Sequence, residues 1–159
     1  MLLKKPFDDL DRRILTELQE NGRMTNQQLS EQVGLSPTPC LRRLKQLEST
    51  GAITRYVALV DPDHVGLSVT AFVRVRLDQQ DDRHLAVFEK AVGGFPEVME
   101  CYLMTGDADY QLRVLVRDLG SFEDFLRHKL TRIPGVGQLT TSFALRPVVY
   151  KTAVPLDAA

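Results

Sequence analysis

The chain has 159 residues and a net charge of −1, with 43% hydrophobic and 26% charged residues. These values are typical of a globular protein that buries a core in one domain or two small ones, and they exclude collagen-like, disulfide-stapled and disordered chains. No run approaches the ~18 apolar residues of a membrane helix, and we expect no secretory signal at the N-terminus. The only cysteines, Cys40 and Cys101, are far apart, which favours a reducing, cytoplasmic compartment.

Positive charge is concentrated in the first part of the chain. Residues 1–60 contain nine Lys and Arg against seven Asp and Glu, or +2, whereas residues 61–159 contain eleven against fourteen, or −3. Between residues 36 and 55 the only acidic residue is Glu48. The overall charge argues against a nucleic-acid-binding protein, but this local excess is sufficient for a small contact surface.

The first 50 residues predict three helices, with Leu, Ile and Val at helical spacing. The helices are expected to begin or end at polar caps and glycines, at Asp8, Asn21, Thr25, Gly34, Ser36 and Gly51. A tight Gly-Leu-Ser turn separates the second and third helices, which is typical of a helix-turn-helix. Residues 53–60 then predict a short strand or wing, and residues 61–67 a turn-rich hinge.

The third predicted helix has a basic face. Leu41, Leu44 and Leu47, with Cys40, fall on one side and predict the buried face. The opposite side has long polar side chains and no acid, which suits phosphate oxygens and the acceptor-rich edge of guanine. A merely solvated basic face is the alternative, and the preceding turn and Ser-Pro cap argue against it. The predicted DNA-contacting residues are Ser36, Pro37, Thr38, Pro39, Arg42, Arg43, Lys45, Gln46 and Arg55.

The remainder of the chain alternates strands and helices. We expect strands over 69–77, 98–104, 110–116 and 139–149, and helices over 81–92 and 119–133. The order β-α-β-β-α-β predicts a ferredoxin-like antiparallel sheet with both helices on one face. The fold class is therefore α+β: a winged helix-turn-helix domain at 1–60, a hinge at 61–67 and a ferredoxin-like domain at 68–159.

The second face of this predicted sheet has no helix to cover it. Phe72, Met99, Cys101 and Leu103 cannot all be inside one domain if their alternating neighbours are inside as well. An uncovered, half-apolar sheet face indicates self-association.

The sequence resembles the Lrp/AsnC, or feast/famine, family of transcription regulators over nearly its whole length. The resemblance is carried by Leu10-Asp11-Arg12-Arg13-Ile14-Leu15, by Val33 to Leu44 with its Leu-Ser-Pro-Thr-Pro-Cys stretch, by Leu47-Glu48 with Gly51, and by the hairpin Met104-Thr105-Gly106-Asp107-Ala108-Asp109-Tyr110. The segments 96–102 and 142–145 are similar to proteobacterial members that respond to branched-chain or sulfur amino acids.

The resemblance implies a DNA-binding regulator whose second domain binds a free amino acid, such as Leu, Met or a branched-chain neighbour. It also implies a homodimer on a pseudo-palindromic site, assembling further to an octamer, with the effector between dimers. The implied effector-binding residues are Leu103, Met104, Thr105, Gly106, Asp107, Asp109, Tyr110, Gly135, Val136, Thr141 and Ser142.

The chemistry of these residue types fits that role. Gly106 permits close approach of a backbone N–H to a carboxylate, and Asp107 or Asp109 could pair with an ammonium group. Thr141 and Ser142 offer hydroxyls. Ordinary turn chemistry is the alternative explanation for the two aspartates.

We find no catalytic constellation, metal-ligand spacing or cofactor motif in the sequence, and we expect neither an enzyme nor a metal protein. His64, His84 and His128 are isolated, and the cysteines suit small core residues. Two alternatives remain open: a small αβ enzyme or amino-acid sensor acting on a protein partner, and a redox- or metal-responsive winged-helix repressor.

Overall fold

The computed structural model describes residues 7–156 as two compact units. The first contains residues 7–59 together with 149–156, and the second contains residues 60–148. We expected the second domain to continue to residue 159. The described tail instead belongs to the first unit, because Leu156 packs on its core and Arg12 donates a 3.0 Å hydrogen bond to the Leu156 carbonyl.

The first unit contains three helices: α1 (Asp9–Glu20), α2 (Asn26–Val33) and α3 (Pro37–Ser49). Thr25 and Gln28 form a reciprocal capping box at the start of α2, which supplies the partners that the first amides of a helix lack. Gly34, at φ +71°, ends α2 in the left-handed conformation that glycine adopts without strain. The core contains Ile14, Leu15, Leu29, Val33, Cys40 and Leu47.

Two expectations for this unit need correction. Leu41 is 40% exposed, so the buried stripe of α3 runs through Cys40, Leu44 and Leu47 at i, i+4 and i+7. Residues 53–60 form no strand, because their backbone groups enter no ladder with any described residue.

The second unit confirms the predicted β-α-β-β-α-β order. Its elements are β1 (Val69–Leu77), α4 (Asp82–Val92), β2 (Val98–Leu103), β3 (Tyr110–Val116), α5 (Leu119–His128) and β4 (Val136–Phe143). The antiparallel sheet has the order β2-β3-β1-β4. Residues 130–132 form a short 3-10 turn after α5. The last strand was expected over 139–149, but it spans Val136–Phe143, because its partner β1 begins at Val69 and the pairing ends where the Ala144 amide donates to the Thr70 carbonyl.

The core of this unit lies between the sheet and its two helices. Alternate residues of β1 and β3, such as Val73 and Leu112, are fully buried against α4 and α5. Phe88 of α4 stacks on Tyr110, with 4.6 Å between ring centroids. These contacts fix the positions of the β2–β3 hairpin and of the end of β1. The effector site predicted from the sequence lies at this hairpin.

The uncovered sheet face differs from expectation because β2 contains a bulge. The register shifts between Val98 and Glu100, so Cys101 pairs with Leu112 and Leu103 pairs with Tyr110 on the helix-covered face. Cys101 and Leu103 are exposed there because β2 is an edge strand. The uncovered face is mostly polar instead, with Phe72, Tyr102, Arg74, Arg76, Arg113 and Gln111.

Candidate functional site

The start of α3 is held against α2 and leaves its own cap free. The Asn26 side chain donates a 2.9 Å hydrogen bond to the Pro37 carbonyl, which fixes the first turn of α3 beside the start of α2. Ser36 is the N-cap in extended conformation, yet its hydroxyl makes no capping bond. Pro37 at the first position has no N–H to satisfy. The Ser36 hydroxyl and the helix N-terminus are thus available to an external oxygen.

The remaining predicted DNA-contacting residues are mostly accessible. Ser36, Pro37, Thr38, Arg42, Lys45, Gln46 and Arg55 are exposed, and Pro39 is half-buried. No ion pair within residues 7–156 involves Arg42, Lys45 or Arg55. Their charges are therefore unneutralised and available to phosphate groups.

Arg43 differs from its neighbour Arg42. Its guanidinium lies 2.7 Å from the Asp8 carboxylate and 2.8 Å from that of Asp11, and only 26% of its side chain is exposed. Asp8 also caps α1 by accepting from the Asp11 amide, and that bond, followed by the one from Arg43, lowers the pKa of the Asp8 carboxyl. In this structure Arg43 joins α3 to the start of α1.

Leu41 is a surface residue that the sequence interpretation placed inside. It is exposed on α3 between the exposed residues Thr38 and Lys45, at i+3 and i+4 spacing. An exposed leucine among long donors provides an apolar contact for a thymine methyl group. The sequence signal for this exposed position is the spacing of Thr38, Leu41 and Lys45, which places Leu41 on the same helix face as two polar residues.

The segment after α3 is anchored to it by one aromatic side chain. The Tyr56 hydroxyl donates a 3.0 Å hydrogen bond to Glu48, the one acidic residue within α3 that faces this segment. Partial burial, and then the Glu48 carboxylate, raise the pKa of Tyr56 to about 12. Arg55 is thereby held next to the C-terminal end of α3.

The β2–β3 hairpin, residues 104–109, is tied to β1 by Asp109. Asp109 accepts a 2.7 Å hydrogen bond from the Leu77 amide and another of 2.7 Å from the Gln80 side chain, and its own amide donates to the Val75 carbonyl. At the tip, Gly106 has φ +109°, a conformation that strains any other residue. Asp109 thus has a structural task, whereas Asp107 is exposed at the tip.

Other predicted effector residues divide into two groups. The Gly135 carbonyl accepts from the Asp78 amide at 2.8 Å, and Val136 pairs with Leu77, so both lie at the hairpin end of the sheet. Thr141 and Ser142 pair with Val73 and Phe72 farther along β4, and as consecutive strand residues they face opposite sides of the sheet. The structure therefore does not bring all eleven residues together within one protomer.

The flanks of the hairpin are apolar and open on one side. Leu103 is 64% and Met104 42% exposed, while Tyr110 is buried and donates to Glu89 at 2.8 Å. A cavity of ≈ 330 Å³ lies between β2 and the end of α4, lined by Val92, Val98, Met99, Cys101 and Leu103 among others. Partial burial of the thiol, and then the charge of Glu89, raise the pKa of Cys101 to about 11.

The segment that follows β1, residues 78–80, was not predicted from the sequence to belong to the effector site. Gln80 bonds to Asp109, and Asp78 lies over Gly137, so residues 78–80 connect the hairpin to the start of β4. The signal was a polar run, Asp-Gln-Gln, directly after a buried strand.

Neither a metal centre nor a membrane span is found in the part of the chain that the structure describes. Over residues 7–156, no three His, Cys, Asp or Glu side chains are grouped to hold a metal ion. No helix within the same range is both long enough and apolar enough to cross a bilayer.

Comparison with known proteins agrees with this architecture. Residues 7–54 match the winged helix-turn-helix DNA-binding family, and residues 70–154 match the Lrp/AsnC ligand binding domain. The chain is 43% identical over 150 residues to a Bkd operon transcriptional regulator of Pseudomonas aeruginosa, covering 94% of this chain and 98% of that protein. It is 40% identical over 144 residues to the leucine-responsive regulatory protein of Escherichia coli, covering 91% and 88% of the two chains.

Solved structures give the same result. A transcriptional regulator of Neisseria meningitidis, crystallised as an L-Met complex, superposes with a TM-score of 0.91 at 42% identity, covering 95% of this chain and 97% of that one. The family matches span both units, and the relatives are transcription regulators rather than enzymes. The chain therefore belongs to the Lrp/AsnC family of transcription regulators.

Proposed function

We propose that this regulator reads a pseudo-palindromic DNA site through α3 and that a free amino acid, Leu, Met or a branched-chain neighbour, alters its DNA binding or assembly in the cytoplasm. The observation that carries the DNA-binding part is the exposed face of α3, where Arg42 and Lys45 have no acidic partner among residues 7–156. Arg43, by contrast, is paired with Asp8 and Asp11.

On DNA, the residues of α3 divide between base and backbone contacts. Arg42 and Gln46 are long enough to reach base edges, and Leu41 adds an apolar contact. Ser36 and Thr38 suit phosphate oxygens near the helix start, Lys45 suits those farther along the helix, and Arg55 suits those beside the far end of α3. Arg43 contributes to DNA binding mainly by fixing the angle between α3 and α1, through Asp8 and Asp11.

For the effector, we propose the hairpin end of the sheet as the site. The Gly106 backbone is open, Leu103 and Met104 offer an adaptable apolar wall, and Gly135 and Val136 lie at the same end. Thr141 and Ser142 lie farther along β4 and face opposite sides of the sheet, so we assign Ser142, on the uncovered face, to a ligand contact made from a second subunit. The L-Met complex of the Neisseria relative supports a ligand of this class.

Self-association is the other part of the proposal. Phe72 and Tyr102 lie on the uncovered sheet face among arginines and amides, and a matching face of a second copy would bury them. We propose a homodimer formed in this way, with further assembly to an octamer that brings hairpins of different dimers together.

Two measurements test the proposed function. Thermal melting of the full chain against each of the twenty amino acids should identify ligands, because a ligand bound only by the folded state raises the melting temperature. The affinity for a duplex selected from a random pool should then change when such an amino acid is added. No melting shift with any amino acid would contradict the effector role, and no selection of a duplex would contradict the DNA-binding role.

A further inference from the structure

A polar cavity of ≈ 500 Å³ opens where β1 ends beside the start of β4, next to the hairpin. It is lined by Arg76, Leu77, Asp78, Gln80, Gly137 and Gln138. This volume is in the range of small-ligand sites. None of the polar residues in it was expected from the sequence to bind a ligand.

The cavity exists because β4 bulges at Gly137. Arg76 pairs with Gln138 and Leu77 pairs with Val136, so Gly137 is left without a partner on β1. A Cβ at this position would collide with the Asp78 carboxylate and approach the Arg76 carbonyl to 3.4 Å. With glycine at this position, the Asp78 carboxylate lies over the strand without moving aside.

Two opposite charges face this cavity without neutralising each other. Among the described residues, neither Arg76 nor Asp78 takes part in an ion pair, and the Asp78 carboxylate accepts no hydrogen bond. By contrast, the Asp109 carboxylate of the hairpin already accepts from Leu77 and Gln80. Within residues 7–156, Asp78 is therefore an unpaired negative charge, two residues before Gln80, which bonds to the hairpin.

We propose that this cavity binds the charged end of the effector, with Arg76 receiving the α-carboxylate and Asp78 the α-ammonium group. A guanidinium presents two parallel N–H donors to a carboxylate, and a carboxylate accepts from an ammonium group. Asp109 is a positioning residue, since it holds Gln80 at the cavity rim. This assignment rests on the proposed amino-acid response and deepens it by naming what recognises the zwitterion.

The test is isothermal titration of the full chain with L-methionine and L-leucine. We expect Arg76→Gln and Asp78→Asn each to weaken binding about tenfold or more, which is the usual scale for a lost charged hydrogen bond. The matched controls are Arg117→Gln, an exposed arginine directly after β3 at the other end of the sheet, and Asp124→Asn on α5, and both should bind within about twofold of wild type. Melting curves of each variant check its folding, and Arg76→Lys, with an intermediate loss expected, replaces Arg76→Gln if the latter unfolds.

Two analogues assign each charge to its residue. 3-(Methylthio)propylamine lacks the carboxylate, so its affinity should be the same for Arg76→Gln as for wild type. N-acetyl-L-methionine lacks the ammonium group, so its affinity should be the same for Asp78→Asn as for wild type. If both variants bind L-methionine and L-leucine as wild type does, the cavity assignment is overturned while the proposed function stands. If wild type binds no amino acid at all, the proposed effector role fails, and the assignment fails with it.

Discussion

The Arg43 guanidinium of α3 lies 2.8 Å from the Asp11 carboxylate of α1, while the adjacent Arg42 is exposed and unpaired among the described residues. We expect Arg43→Ala to lower the melting temperature of the DNA-binding unit, because it leaves Asp8 and Asp11 facing each other without a cation. Arg42→Ala should melt as wild type does. Calorimetry of both variants at low and at high salt checks this, since a partly exposed ion pair loses strength as salt screens it. Equal melting of the two variants would contradict the structural role of Arg43.

A second contrast concerns two helix caps. Thr25→Ala removes the capping box of α2 and should cost about 1 kcal/mol of unfolding free energy. Ser36 makes no capping bond to α3, so Ser36→Ala should leave stability unchanged and reduce DNA affinity by the loss of a phosphate contact. Urea unfolding and gel shifts separate the two effects. A destabilised Ser36→Ala protein with unchanged DNA affinity would refute this distinction.

The C-terminal tail gives a third prediction. Gln19 and Val154 exchange two hydrogen bonds, of 3.2 Å and 2.6 Å, and half-buried Leu156 packs on the core of the first unit. We expect Leu156→Ala to lower the stability of that unit by about 1 kcal/mol, since only part of the leucine side chain is removed from water. Val149→Ala is the matched control, because Val149 is 73% exposed and its truncation should change little. Chemical unfolding monitored by far-UV circular dichroism measures the difference, and identical unfolding of both variants would exclude a packed tail.

Cys101 provides the pH-dependent prediction. Its pKa is raised to about 11, so its thiolate forms two pH units later than in an unfolded chain, whose thiol has its ordinary value of 9.0. Because the folded state retains the proton longer, this group stabilises the fold below pH ~9, and the contribution is lost as pH rises from ~9 to ~11. In a Cys40→Ser background, the rate of iodoacetamide alkylation of the folded chain should rise about tenfold per pH unit up to ~11. A plateau at or below pH 9 would contradict this environment.

The sequence was sufficient for the fold class and for most elements because local patterns specify them. The alternation over 69–77 and the caps at Thr25 and Asp81 depend only on neighbouring residues. The bulges at Met99 and Gly137 depend instead on cross-strand register. A shift of one residue moves every following side chain to the other face, which is why the expected positions of Cys101 and Leu103 were wrong.

The two candidate sites were predictable to different degrees, because one depends on a local pattern and the other on contacts between distant segments. The exposed face of α3 follows from helical periodicity, although Arg43 is bonded to acids 32 and 35 residues away that no local pattern reveals. The hairpin is recognisable from its residues, but its link to Gln80 and the cavity at Gly137 arise only when three separate segments meet. The predicted effector contacts of Thr141 and Ser142 stay predictions, and that of Ser142 involves a second subunit.

The most direct test of the account is the salt dependence of duplex binding by wild type and by Arg42→Ala and Lys45→Ala, measured by fluorescence anisotropy. If α3 lies in the major groove, affinity should fall steeply with salt, and Lys45→Ala should reduce the slope of log K against log salt by about 1. Arg42→Ala should weaken binding by roughly 1–3 kcal/mol and relax preference at one base pair. Unchanged affinity, slope and base preference in both variants would show that this face of α3 does not contact DNA.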